Sequence, residues 1–115
     1  MNRHPLPLMP RALDVLGKEY QVINEFPPNE DEEEEGNSGE CTFSRCEIHV
    51  DPTEAEPNQR DTLLHEVIHA VENDMDLGMK ERQVLLLATG LLQVLRSNPH
   101  LVAYLMVPES IFTAE

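Results

Sequence analysis

The sequence predicts an α+β fold: a small antiparallel or mixed β-sheet followed by two long helices that pack as an antiparallel hairpin. Three observations carry this. β-prone segments occupy the first half of the chain, helical periodicity takes over from about Asn58, and Pro and Gly punctuate the change. The chain has 115 residues and a mass of 13.1 kDa, so it reads as one domain spanning residues 1–115, with no internal repeat.

Taken in order, Pro10 to Gly17 (PRALDVLG) reads as two helical turns ending at the glycine. Tyr20 to Phe26 (YQVINEF) is β-prone and stops at Pro27-Pro28. A polar segment at about 27–39 follows, with six consecutive acids, Glu30 to Glu35, between that Pro pair and Gly36-Asn37-Ser38-Gly39. Like charges beside Pro and Gly read as a solvated, mobile loop. Cys41 to Asp51 (CTFSRCEIHVD) reads as a hairpin turning near Ser44-Arg45, with Ile48 and Val50 on one face of its second arm. Asn58 is the expected cap of a helix running to about Asn73. A second helix is expected from Met79 to Arg96, and a short third opens at Asn98-Pro99 and runs to Met106. Val107 to Glu115 forms a tail.

Charge excludes some partners. With 8 Lys+Arg against 22 Asp+Glu, the net charge of −14 argues against direct binding to nucleic acid or to an anionic membrane. Nine acids lie between Lys18 and Arg45, where no basic residue intervenes, so −5 remains for the rest of the chain. No stretch is apolar for the roughly 18 residues a membrane span needs, and residues 1–10 lack a signal-peptide core. A soluble cytoplasmic protein is the expectation. There, Cys41 and Cys46 are expected to stay reduced, as structural or incidental residues.

His65-Glu66-Val67-Ile68-His69 is an HExxH motif inside the first long helix. At about 100° per residue the two histidines lie about 40° apart, one turn above the other, so both imidazoles can reach one zinc ion. Glu66 stands about 100° round from His65, beside the metal, where a base takes a proton from a water. Chance placement of this chain's His and Glu residues yields about 0.03 such motifs. The apolar residues Leu63, Leu64, Val67, Ile68, Ala70 and Val71 cover the opposite arc, so the histidines are not core residues. Glu81 is the expected third ligand, since it lies on the centre line of the second helix's apolar face with Ala88, Leu92 and Leu85. A buried carboxylate there needs a partner. Complementing the dipole of its own helix while staying wet is the other role open to it. Asp74 and Asp76 are rival ligands in the connecting turn, and His4, His49 and His100 read as surface residues.

These residues carry a resemblance. TLLHEVIHA followed by ERQVLLLATGLL resembles the gluzincin branch of the zinc metallopeptidases. The spacing of Glu81, Ala88, Leu91 and Leu92 is similar to the ImmA/IrrE-type metallopeptidases of mobile elements such as phage and of bacterial stress regulation. The compactness resembles the minigluzincins. Ile68 stands where the ImmA-type motif has glycine, and Val84 where the second pattern has alanine. The resemblance implies one Zn2+ held by His65, His69 and Glu81, Glu66 as catalytic base, and peptide or protein as substrate. Minigluzincins include latent forms whose C-terminal segment blocks the cleft. The tail would then bring Glu109 or Glu115 towards the metal.

A peptide pairing with an exposed sheet edge, the strand Glu47 to Val50, completes the expected reaction. Tyr104 and His100 are the only side chains nominated to support the oxyanion. Two other classes remain in view: a zinc-stabilised binding module without turnover, and an acidic interaction protein whose charged loop imitates nucleic acid.

Overall fold

The computed structural model describes residues 7–26 and 38–113; His4, Glu115 and the run Glu30 to Glu35 lie outside the described residues. A four-stranded mixed sheet is followed by helices, an α+β fold.

Strands β1 (Ala12–Val15) and β2 (Lys18–Ile23) form an antiparallel hairpin across Leu16 and Gly17, whose φ angles are 52° and 88°. Two central residues with positive φ match the right-handed twist of the flanking strands, and Asp14 Oδ1 accepts a hydrogen bond of 2.9 Å from the Gly17 amide. The expected helix over Pro10 to Gly17 is therefore corrected to a strand and turn. Gly17, read as a helix stop, serves a hairpin, and Val15 is carried into the core at 5% exposure.

Strand β3 (Gly39–Thr42), a single 3-10 turn at Phe43–Arg45 and strand β4 (Glu47–Val50) form the second hairpin, turning where the sequence places it. Sheet order is β1-β2-β4-β3, with β4 parallel to β2 and antiparallel to β3. The strand expected at the edge, Glu47 to Val50, is thus an interior strand, and the edges are β1 and β3. Burial explains it: Ile48 and Val50 have no exposure and His49 only 8%, which a strand reaches with neighbours on both sides. His49 is accordingly not the surface residue expected.

Helix α1 (Glu56–Met75) begins two residues before Asn58, because Pro57 suits the first turn, where an amide has no helical partner anyway; Ala55 takes the cap position. Gln59 is buried and its amide donates to the carbonyls of Glu54 (2.9 Å) and Pro52 (3.3 Å), pinning the β4–α1 connection. The helix ends at Asp76 (φ 54°), and Lys18 reaches Asp74 at 2.7 Å. Helix α2 (Glu81–Ser97) follows Lys80, whose amide donates to Gln83 Oε1 at 2.8 Å. Helices α3 (Pro99–Leu105) and α4 (Ser110–Thr113) complete the described chain. Asp61 meets Thr89 (3.2 Å) while His69 meets Glu81, so α1 and α2 run antiparallel.

The apolar arc of α1 divides between two neighbours. Ala70, Leu63, Val67 and Val71 pack on the sheet with Val15, Tyr20, Ile48 and Val50. Leu64 and Ile68, further round the helix, pack with Val84, Ala88 and Met79. The remaining side of α1 carries the histidines.

Candidate metal centre

His65 and His69 stand one turn apart on the third face of α1, at 12% and 20% side-chain exposure. Their Nε2 atoms are 3.1 Å apart, and the rings meet edge to face. Glu81, the first residue of α2, lies across from them. Its carboxylate spans both rings, Oε1 at 2.7 Å from His65 Nε2 and Oε2 at 2.8 Å from His69 Nε2. Both ring nitrogens and this carboxylate thus converge as sequence spacing predicts. Burial differs from expectation, because the Glu81 side chain is 68% exposed. It opens its helix at the rim, and the apolar seam begins one turn later at Val84.

Glu66 is placed differently. It is 6% exposed, turned towards strand β3, and its carboxylate falls within 4.8 Å of both imidazoles, so His65, Glu66 and His69 form a group that can hold a metal ion. Burial, then the negative charge of Glu81 and of Glu40, pushes the Glu66 carboxyl up to about 8. Cys41 on β3 is pushed up to about 12 by its own burial, then by Glu66, Cys46 and Glu40, so it remains a thiol. Both cysteines are free and lie against the sheet core.

Strand β3 reaches the site through Gly39. A Cβ there would stand 2.5 Å from Thr62 Cγ2, 2.8 Å from the His49 carbonyl and 3.1 Å from Glu66 Oε2. Only glycine lets the strand lie this close to α1. In the sequence, Gly39 reads as loop, one of several small polar residues after the acids. Its only signal is its position two residues before Cys41, at strand spacing on the core-facing side.

A cavity of about 310 Å³ opens here, lined by Ser38, Gly39, Glu54, Asn58, Asp61, Thr62, His65, Glu66, Glu81 and Leu85. Four of these are carboxylates and none is Lys or Arg. Ser38 Oγ donates to Glu54 at 2.8 Å, and Thr89 Oγ1 to Asp61.

Other nominated residues lie elsewhere. Asp74 is paired with Lys18 and Asp76 caps α1. Tyr104, 78% exposed, and His100, also exposed, are not among the cavity's lining residues, nor is any residue of 107–113. His49 is buried with no hydrogen-bond partner for either ring nitrogen among the described residues; it sits opposite Glu40 in the β3–β4 register, and Glu47 Oε1 is 3.9 Å away. No described helix is long and apolar enough to cross a membrane.

Comparison with known proteins returns no match: no family model, no curated protein and no solved structure corresponds to this chain.

Proposed function

We propose that the chain is a zinc-dependent metallopeptidase built on a minimal zincin-like domain, with His65, His69 and Glu81 as zinc ligands and Glu66 as general base. One observation carries the reading: two imidazole Nε2 atoms and one carboxylate, drawn from two helices, lie 2.7–3.1 Å from one another. Tetrahedral ligands at about 2.0–2.1 Å from zinc stand about 3.3 Å apart, so this donor set fits the ion after an expansion of a few tenths of an ångström. Two neutral nitrogens and one carboxylate also suit zinc's preference for mixed N and O donors.

Zinc bound there would supply Lewis acidity, polarising a peptide carbonyl and making a water easier to deprotonate. Glu66 lies close to the centre yet further from the imidazoles than Glu81, where it can accept the proton of that water and return it to the leaving amine. Its raised pKa makes it a stronger base than an exposed carboxylate, and a neighbouring cation would restore its charge. Gly39 and Ser38 at the start of edge strand β3 bound the same cavity, so an extended peptide can add to this edge beside Glu66. Glu54 and Asp61 along the cavity favour substrates with cationic side chains next to the scissile bond.

The decisive experiment pairs zinc stoichiometry with hydrolysis of a peptide library by the wild type and by Glu66→Gln. One zinc per chain is expected in both, with cleavage reduced about 10²–10⁴-fold in the variant. A wild-type chain that binds no zinc refutes the ligand assignment. Cleavage that survives in Glu66→Gln refutes the base.

A further inference from the structure

Helix α2 is apolar over most of its circumference, as a helix enclosed by neighbours would be. Yet only Val84 and Ala88 are buried. Helix α1 covers the side that holds them. Leu87, Leu91 and Val94, at helical spacing on an adjoining side, are 42%, 39% and 41% exposed. Helix α3 packs against α2 and buries no residue, leaving Leu101, Tyr104 and Leu105 at 39%, 78% and 54% exposure. The chain therefore presents a second apolar face that nothing among its described elements covers.

We propose that this face, formed by α2 and α3, joins two copies of the chain in a symmetric dimer. Charge is the first argument for a second copy. A symmetric contact sets the same patch against itself, so any charge in it meets its like. A chain of net charge −14 has few surfaces that tolerate this, but from Gln83 to Pro108 the only charged side chain is Arg96. At about 100° per residue Arg96 falls about 180° from Leu87, on the far side of α2. Area is the second argument. The exposed apolar side chains of this face, Leu87, Leu91 and Val94 with Leu101, Tyr104 and Leu105, present on the order of 600 Å² per copy, which on two copies reaches the lower end of the area a stable dimer buries, about 1,200 Å² in total. Gly90 adds a third. It shares the face with Leu87 and Val94, and nothing lies within 4 Å of the place its Cβ would occupy. Glycine weakens a helix interior relative to alanine, and no contact within the chain requires it here. A second helix packed across Leu87, Gly90 and Val94 would.

The proposal does not rest on the enzymatic reading, and its test needs no substrate. Sedimentation equilibrium of the full chain, from micromolar to near-millimolar concentration, is expected to show twice the 13.1 kDa chain mass at the upper end. Leu91→Glu places a charge opposite its own counterpart and is expected to halve that mass while leaving the far-UV circular dichroism and zinc stoichiometry unchanged. Tyr104→Glu, on a side chain that is already 78% exposed, is expected to do the same without threatening the fold. A wild-type chain of single mass throughout overturns the proposal, and so does a dimer that persists in both folded variants. In the first case the face belongs to a different protein.

Discussion

Helices α1 and α2 are similar in length and both rich in aliphatic residues, yet the fold treats them oppositely. Helix α1 is held on two sides, by the sheet, whose edge strand β3 brings Gly39 against Thr62, and by α2. Helix α2 buries residues on one side only, Val84 and Ala88 against α1, and the packing of α3 buries none. The cluster follows this division. His65, Glu66 and His69 stand on the more enclosed helix, and only Glu81 comes from the other. Under the proposed reading, three of the four site residues stand on the more enclosed helix, and one comes from the helix that buries less of itself.

The contrast can be broken first at the sheet. Ile48→Ala removes a fully buried side chain from the cluster under α1 and is expected to lower stability by about 2–5 kcal/mol in chemical denaturation. A loss below about 1 kcal/mol would show that α1 is not anchored there. Next in size is the pH dependence of the metal-free protein. Folding raises the Glu66 carboxyl from its ordinary 4.5 to about 8, so the folded state keeps a proton that the unfolded chain gives up. This contribution is fully present below about pH 4.5 and is lost as pH rises towards 8, on the order of 2–4 kcal/mol across the window. Denaturation in the presence of a chelator, from pH 5.5 to 8, measures the slope, and Glu66→Gln is expected to flatten it.

At the boundary between the two helices, Glu81→Ala is expected to weaken zinc at least tenfold, about 1.4 kcal/mol, with little change in the apoprotein's stability. Its carboxylate is the most exposed member of the cluster, so unchanged zinc affinity would place the third ligand elsewhere. The smallest effect belongs to α2's outer side. Leu86, 55% exposed in the single chain, is expected to accept glutamine within about 0.5 kcal/mol at concentrations where the chain is monomeric. A larger loss would mean that α2 is enclosed more tightly than its exposure indicates.

The order of β-rich then helical segments, the second hairpin and the convergence of His65, His69 and Glu81 were all legible in the sequence. Each rests on local spacing: a 3.6-residue period places the histidines, and a twelve-residue separation returns the chain from His69 to Glu81. What was not legible depends on partners remote in the chain. Strand β4 alternates as an edge strand would, and only its parallel pairing with β2 turns it inward. Gly17 suits a helix end as well as a hairpin, and the choice was made by Val15 and Tyr20 entering one core. Gly39 became part of the site because α1 lies against it, a long-range contact that no local pattern records.

The pairing of β2 with β4 also determines what the long acidic connection has to do. Ile23 is level with His49, and Gly39 with Val50, so β2 ends and β3 begins at the same end of the sheet, one strand apart. The gap is about two strand spacings, roughly 10 Å, which three or four extended residues would bridge. Fifteen residues, 24–38, join these strands instead. The excess is not needed to span the gap: a connection of about five residues that kept Ser38 would shorten a chain closure at an expected gain of about 1 kcal/mol, measurable by chemical denaturation. The register of the strands therefore sets a minimum for this connection far below its actual length.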